Sequence, residues 1–555
     1  LSPSGRYALV FNGEIYNYLD LKKKYGIADE KLRSTSDTEI IAHLLDRLTV
    51  EKIASDLDGM FAIAVWDQIA KRLHLIRDFA GIKPLHFGVN AQGVVFASQY
   101  NQVVMHPWFC NEPVNTFVLG EYLKRHYMPA PEGLMKNTWQ VRPGEIVTID
   151  ENLQIHRERY WELPRHVESS VSDQAEAMEF IASELEKSVK AQLMADVPLG
   201  AFLSGGIDSP LICRYAQKNI NDKLKTFTIG SHSRVHDESD MALQYASLLN
   251  ADSELEIMSS NSAASIMDEV MKTVAEPFAD TSIIPTFLVS KLAVQKVKVA
   301  LSGDGGDELF YGYERFWSVA KNRHWHSFPY PLRALVYGAD KKLSRSRNIN
   351  SVVLAKSQGA GHQKLLSGTV YNGFMAVAPD LDYQAHYVAP EYRYHHMSKT
   401  SDLVQQMRYS EFYDMMQKTL RKVDLASMGN SLEVRVPFLH KSFIEASLKV
   451  DFSLSYGKNK KKELLKHLIR REYPGVAIDN TKKGFSVPFT RWLRDDLRQE
   501  FQQVLLEKST ADYFGFSLQG TEQILNGHLN GSVDNKWLLF SLYSLFKWYN
   551  NTKNR

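Results

Sequence analysis

Cysteine is nearly missing from this chain: its 555 residues contain two, Cys110 and Cys213. They stand far apart, with no Cys or His at metal-ligand spacing beside them. That excludes a disulfide framework and a zinc-ribbon site, and it fits a reducing compartment. Long apolar runs are missing too. There is no stretch of about 18 apolar residues, and no charged start followed by an apolar middle and a small-residue cleavage site, so no segment is expected to span a membrane. Excess charge of either sign is absent, since 66 Lys and Arg against 64 Asp and Glu give +2 at pH 7. This balance excludes a global field favouring nucleic acid or an anionic membrane, and any polyanion site must be local. What is present is ordinary globular usage, 44% hydrophobic and 23% charged, which excludes a largely disordered or collagenous chain. At this length two to four domains are expected, not one core. These facts together point to a cytoplasmic enzyme.

Residues 1–165 read as one β-rich module. A strand-like alternation begins within the first few residues, and GMFAIAVWD, RLHLIRD, KPLHFGV and GVVFAS follow closely, broken by Gly, Asp and Asn as in antiparallel architecture. Two polar clusters stand out, FNGEIYNY and STSDTEI. Read from the residues alone, Asn12-Gly13 makes a turn, and Asp37 and Glu39 sit in the first turn of a helix.

From Asp173 the pattern changes. Ile181, Leu185 and Val189 recur at helical spacing, and VPLGAFL then suits a buried parallel strand. Helical spacing and strands alternate onward through KTFTIG, ELEIM and VKVALS, which predicts a doubly wound parallel sheet with ligands at the carboxyl ends of its strands. Two motifs stand at such ends. Ser204-Gly205-Gly206-Ile207-Asp208-Ser209 follows one strand and opens a helix, where bare N–H groups and the helix dipole favour a polyanion. No Gly-Lys-Ser/Thr follows, so γ-phosphate transfer is disfavoured. Ser302-Gly303-Asp304-Gly305-Gly306-Asp307-Glu308 closes a second strand. Taken alone it fits an acidic helix cap or a partial Ca²⁺ loop, but its place on the sheet favours a second phosphate-facing loop. Asp208 and Asp307 are therefore assigned to Mg²⁺. Further on, VRVPFL reads as core, with Lys422, Asp424, Glu433 and Arg435 as polar exceptions nearby. KNKKKELLKHLIRREY reads as a helix whose Leu464, Leu465, Leu468 and Ile469 face inward and whose basic residues form a solvated face.

FNGEIYNY, SDTEI, DGMFAIAVWD and RDFAGIKPLHF, in that order, resemble the glutaminase domain of class II glutamine amidotransferases of the asparagine synthetase type. SGGIDS resembles the pyrophosphate loop of enzymes that cleave ATP between the α and β phosphates. EPFADTSIIPTFLVSKLA, KVDLASMGNSLEVRVPFLH, KKELLKHLIRREYP and TKKGFSVPFTRWLRDDLR extend the resemblance over nearly the whole chain. The resemblance implies an Ntn-type αββα sandwich over 1–165 and an ATP-pyrophosphatase domain over 170–555 with a helical C-terminal part. It further implies that the Asn12 side chain and Gly13 N–H form an oxyanion hole, and that Glu14 and Asp37 hold glutamine's amino group. Leu203, Ile229, Ser302 and Gly303 would contact adenosine, and Ser204, Gly205, Gly206, Asp208 and Ser209 the pyrophosphate. Asp304 would serve the forming and consuming of an acyl-adenylate, and Lys482 would neutralise phosphate charge.

By the same resemblance the substrates are ATP with Mg²⁺, aspartate, and glutamine or ammonia, with no nucleic acid or membrane partner and a homodimer as a family-level expectation. The family's nucleophile is an amino-terminal cysteine, whereas Leu1 stands first here and neither Cys110 nor Cys213 is placed to replace it. A fragment of a longer protein is expected, or else an enzyme that uses free ammonia. Leu425, His440 and Tyr311 depart from the family's usual residues at positions expected to flank the synthetase cleft. Amidation of a sugar or natural-product carboxylate, or a non-catalytic derivative, are the rival readings.

Overall fold

The computed structural model describes residues 1–231, 237–258, 263–343, 351–366, 371–381, 387–458, 460–478 and 487–553. Strand β1 (Tyr7–Ile15) pairs antiparallel with β2 (Gly59–Asp67), which pairs with β3 (Arg72–Arg77). The sheet continues through β7 (Glu145–Ile149) to β8 (Ile155–Arg159). A second sheet runs in the order β5 (Gly93–Ala97), β4 (His86–Asn90), β6 (Thr138–Gln140).

Alternation along the strands gives the first sheet two apolar faces. Ala62, Ala64, Leu75 and Val147 pack with Leu85, Phe87 and Val141 between the sheets. Phe61, Ile63, Val65 and Ile76 pack with Ile40, Ile41, Leu44 and Ile53 of the covering helices. Helix, sheet and sheet thus stack as three of the four layers of the expected αββα sandwich.

The predicted turn at Asn12-Gly13 is a strand instead. The β1–β2 ladder runs unbroken to Ile15↔Gly59, and a Cβ on Gly13 would collide with the Met60 carbonyl, so glycine there serves close strand approach.

The second half is built on an all-parallel sheet in the order β11 (Asp252–Met258), β10 (Lys225–Ser231), β9 (Leu199–Phe202), β12 (Val299–Leu301), β13 (Glu433–Arg435). The sequence placed four of these strands. It did not place β13, because EVRV reads as core without declaring a strand. The chain order runs outward from β9 through β10 to β11, then returns to the other side of β9 for β12. The switch point therefore lies between the carboxyl ends of β9 and β12, where an open α/β sheet forms its crevice. Helices 174–192, 208–218 and 463–472 pack on one face around Ile181, Leu185, Leu211, Leu465 and Ile469. The C-terminal helices gather a separate core that includes Trp492, Phe501, Phe540 and Trp548. Among the described residues no helix is long and apolar enough to cross a membrane.

The halves meet through shared apolar packing, as where Phe79 and Ile82 join Phe412 and Leu439, and through polar groups. Arg421 Nη2 donates to His86 Nε2 at 2.9 Å, and Arg421 Nε lies 2.7 Å from Glu276. Burial, with Arg421 beside it, holds the His86 pKa well below its ordinary value, so the neutral ring accepts this bond. Arg77 and Gln417, and Lys83 and Asp424, are further cross-half pairs at 3.4 and 3.9 Å.

Candidate functional site

Both glycine-rich loops open onto one cleft of about 700 Å³ at the switch point. Leu203 through Ser209, Ile229, Ser302, Gly303, Asp304 and Asp307 all line it, so every described residue assigned to nucleotide or metal is brought together there. The first loop is held by its own hydroxyls. Ser204 N–H donates to Ser209 Oγ at 2.9 Å, and Gly206 N–H donates to Ser204 Oγ at 3.2 Å. Helix 208–218 begins without a side-chain cap, and Pro210 occupies its first turn, where a missing N–H loses nothing. Its open N-terminus faces the cleft, as an anion site requires. The second loop touches the first backbone to backbone: a Cβ on Gly303 would lie 2.6 Å from Ser209 N, so any side chain at 303 would part the two loops. In the same loop Asp304 accepts from Ser302 Oγ, and Lys422 Nζ lies 3.8 Å from Asp304 Oδ1.

Asp208 and Asp307 converge on one ammonium. Lys462 Nζ pairs with Asp208 Oδ2 and lies 2.7 Å from Asp307 Oδ1. Burial works against its charge, but the two carboxylates outweigh burial and hold its pKa above the ordinary value. A Cβ on Gly312 would strike both the Asp307 carboxylate and Lys462 Cε, so glycine there keeps the pair in place. Lys462 itself has φ 51°, a left-handed conformation that a non-glycine residue keeps only where its surroundings impose it. Helix 463–472 anchors it: Arg214 and Lys218 pair with Glu472 at 3.2 and 2.9 Å, and Tyr473 Oη donates to the Pro210 carbonyl at 2.7 Å.

Sequence reasoning missed Lys462 by treating the basic run as a solvated face. Lys462 is 6% exposed and Lys466 is also 6%. Phase could have found Lys466, which lies between the buried Leu465 and Ile469 on helix 463–472; Lys462 precedes that helix with a left-handed backbone, and no periodicity places it. Lys482 lies outside the described residues.

Two carboxylates and one ammonium leave this spot with a single net negative charge. That donor set suits a hard divalent cation completing its shell with phosphate oxygens and water, so the residues present fit magnesium. Among the described residues no cluster of three or more metal-type ligands occurs.

The other predicted site lies at the end of β1. Asn12 Nδ2 donates to Ser98 Oγ at 2.9 Å, which joins β1 to the segment following β5. Asp37 Oδ2 accepts the Ile15 N–H at 2.9 Å, and Ser36 caps the helix Asp37–Leu45. The helix reading and proximity to Glu14 therefore both hold for Asp37. Burial pushes the Glu14 carboxyl up to about 7, although Arg435 opposes the rise. Cys213 is fully buried and its thiol is pushed up by burial, unlike a nucleophile.

None of the three departures lines the cleft. Leu425 is packed in the C-terminal core, and Tyr311 packs against Phe316 and Tyr456. His440 stacks on Tyr16 and lies 3.3 Å from Asp58 across the halves. Leu425 and Tyr311 stand beside its lining instead: Leu425 shares a helix with Lys422 and Val423, and Tyr311 precedes Gly312, with a left-handed backbone and its ring in the core. The four polar exceptions divide. Lys422 faces the cleft, and Asp424, Glu433 and Arg435 face the other half of the chain.

Comparison with known proteins gives two family matches. Residues 181–550 match the asparagine synthase family model, and residues 1–161 match that of the glutamine amidotransferase domain. An asparagine synthetase [glutamine-hydrolyzing] 1 of Bacillus subtilis is 27% identical, over 98% of this chain and 85% of that one. A putative asparagine synthetase [glutamine-hydrolyzing] of Mycobacterium bovis is 31% identical, over 98% of this chain and 84% of that one. Among solved structures, a glutamine phosphoribosylpyrophosphate amidotransferase of B. subtilis with ADP and GMP is 18% identical over 46% of each chain, with a TM-score of 0.21.

Proposed function

The chain belongs to the asparagine synthase family, ATP-using carbon–nitrogen ligases with glutamine as amide donor, and from that premise we propose that it converts aspartate to asparagine through β-aspartyl-AMP. The observation that carries the reading is the pair of phosphate-facing loops meeting at the switch point with Lys462 between their acids.

In the proposed reaction, one oxygen of aspartate's β-carboxylate attacks the α-phosphorus, the bond to the bridging oxygen breaks, and pyrophosphate leaves with its electron pair. Ammonia then attacks the acyl carbon and AMP departs. Charge accumulates on the pyrophosphate, beside the uncapped N-terminus of helix 208–218 and the Lys462 ammonium. Fixed donors in a partly closed cleft stabilise that charge without reorganising. Asp208 and Asp307 would hold magnesium, which supplies charge neutralisation on the polyphosphate when bound. The attacking nitrogen must shed a proton as its bond to carbon forms. Asp304, fixed by Ser302 Oγ and neighboured by Lys422, is the carboxylate offered for it. Leu203 and Ile229 would receive the adenine and ribose.

The glutamine end is placed at Asn12, Gly13, Glu14 and Asp37, with the ammonium of the substrate against the two carboxylates. We assign 1–165 to this end and 170–555 to the ATP end. The side chains at Leu425, His440 and Tyr311 do not line the cleft, so they give no direct support to a different acceptor.

Isotope transfer tests the intermediate. Aspartate labelled with ¹⁸O in its β-carboxylate should pass one labelled oxygen to AMP. Unlabelled AMP alongside labelled asparagine would exclude the acyl-adenylate, and turnover with another carboxylate but not aspartate would move the assignment to that acid.

A further inference from the structure

One contact joins the glutamine end to the ATP half at a residue that the reaction above does not use. Arg435 lies at the end of β13 and is 3% exposed. Its backbone is pinned in the sheet, since Leu301 pairs with Arg435 and the Ser302 N–H donates to the Arg435 carbonyl at 2.9 Å. Its guanidinium is pinned as well. Nε donates to Glu433 at 2.7 Å, and Nη1 donates to the carbonyls of Gln192 and Met194. Nη2 is turned to the other half of the chain and lies 3.5 Å from Glu14 Oε2, with the Tyr16 ring 5.8 Å from the guanidinium carbon.

We propose that Arg435 is a positioning residue of the glutamine pocket: the ATP half supplies a fixed positive charge that orients the Glu14 carboxylate and keeps it ready for the substrate's amino group. This rests on the reading of Glu14 as part of the glutamine site.

The surroundings explain why such a charge is needed. The charged groups facing Glu14 are Arg435 and Glu433 on β13, Asp37 at the start of its helix, and Asp196 on the segment after helix 174–192. Three of the four are acids. Burial and those acids drive the carboxyl toward its neutral form, which cannot bind an ammonium ionically, and Arg435 is the group that opposes them. A 3.5 Å separation is long for a direct bond to an orienting donor. It leaves Glu14's oxygens open to a ligand while still acting by charge.

The test is calorimetric titration of the full chain with L-glutamine between pH 6 and pH 9, comparing wild type, R435Q and R435K. An opposite charge at this distance is worth about tenfold in Glu14's ionisation. With the carboxyl at about 7, R435Q should therefore weaken glutamine about fivefold at pH 7 and less than twofold at pH 9. The ratio to wild type cancels the titration of glutamine itself. R435K keeps the charge but not the bonds to Gln192 and Met194, so at pH 7 it should bind at least about twofold more tightly than R435Q without reaching wild type. A loss in R435Q that is equal at every pH, or no loss, would overturn the part given to Arg435 and leave the glutamine site standing. Failure of the wild type to bind glutamine at any pH would overturn the placement of that site, and this proposal with it.

Discussion

Replacing Lys462 with methionine removes one ammonium and keeps the length of the side chain. In the free protein Asp208 and Asp307, each 19% exposed as side chains, then face each other without their shared cation. Stripping one partner from a buried pair costs about 3 to 5 kcal/mol. These acids border an open cleft, so water and partial protonation should reduce the cost to about 2 kcal/mol, a fall of about 2 to 4 °C in melting temperature. Catalysis should suffer more. Loss of a fixed donor at developing charge typically costs about 10² to 10³ in rate, or about 2.7 to 4 kcal/mol, and here that charge is on pyrophosphate. K462M should thus form AMP at least a hundredfold more slowly with saturating substrates. Magnesium should also raise the melting temperature of K462M without nucleotide more than that of wild type, because the acids have lost their competing cation. The control is K187M, whose lysine lies on helix 174–192, is 66% exposed and pairs with Glu184, where AMP formation should change by less than twofold. A K462M rate within threefold of wild type would refute the role given to this lysine.

Gly312→Ala should fold yet lose most ATP-dependent turnover, because the added methyl collides with Asp307 and Lys462; nucleotide binding and AMP formation check it together. Asp304→Asn keeps an acceptor for Ser302 but removes the base, so amide formation should fall about 10² to 10⁴-fold while ATP binding changes little. Glu411→Gln tests the pair between the fully buried Glu411 and the largely buried Arg315, beside His362. Burial opposes its charge, but Arg315 and His362 outweigh burial and hold the carboxyl at about 2 instead of 4.5. The folded pKa is depressed, so roughly 3 kcal/mol of stability is present above about pH 4.5 and lost as pH falls towards 2. E411Q should therefore unfold in less urea than wild type at pH 7, with the difference shrinking below pH 4.

Much of the cleft at the switch point was legible because its chemistry is local. In SGGIDS and SGDGGD, the glycines, the acids and the helix start are contiguous, and alternation of strands and helices puts both loops at strand ends. β10 and β12 were readable for the same reason: a short apolar run between helices has few other uses. Asn12-Gly13 misled because the pair has two physical uses. Turn chemistry favours it, but so does close strand approach, and only the unbroken pairing with β2 decides between them. Lys462 was hidden by composition. Three successive lysines before a helix suggest solvent, and only Lys462 among them turns inward, through a left-handed backbone that helical phase does not foretell. The Glu14–Arg435 contact joins residues more than four hundred positions apart, and no local pattern encodes it. The contacts of Leu425, Tyr311 and His440 likewise depend on packing between distant segments.

The most direct measurement is the stoichiometry of products made by this chain from ATP, magnesium, ammonium and aspartate. The account predicts asparagine, AMP and pyrophosphate in equal amounts, all dependent on aspartate. ADP and phosphate in place of AMP and pyrophosphate, or AMP formation indifferent to aspartate, would contradict it.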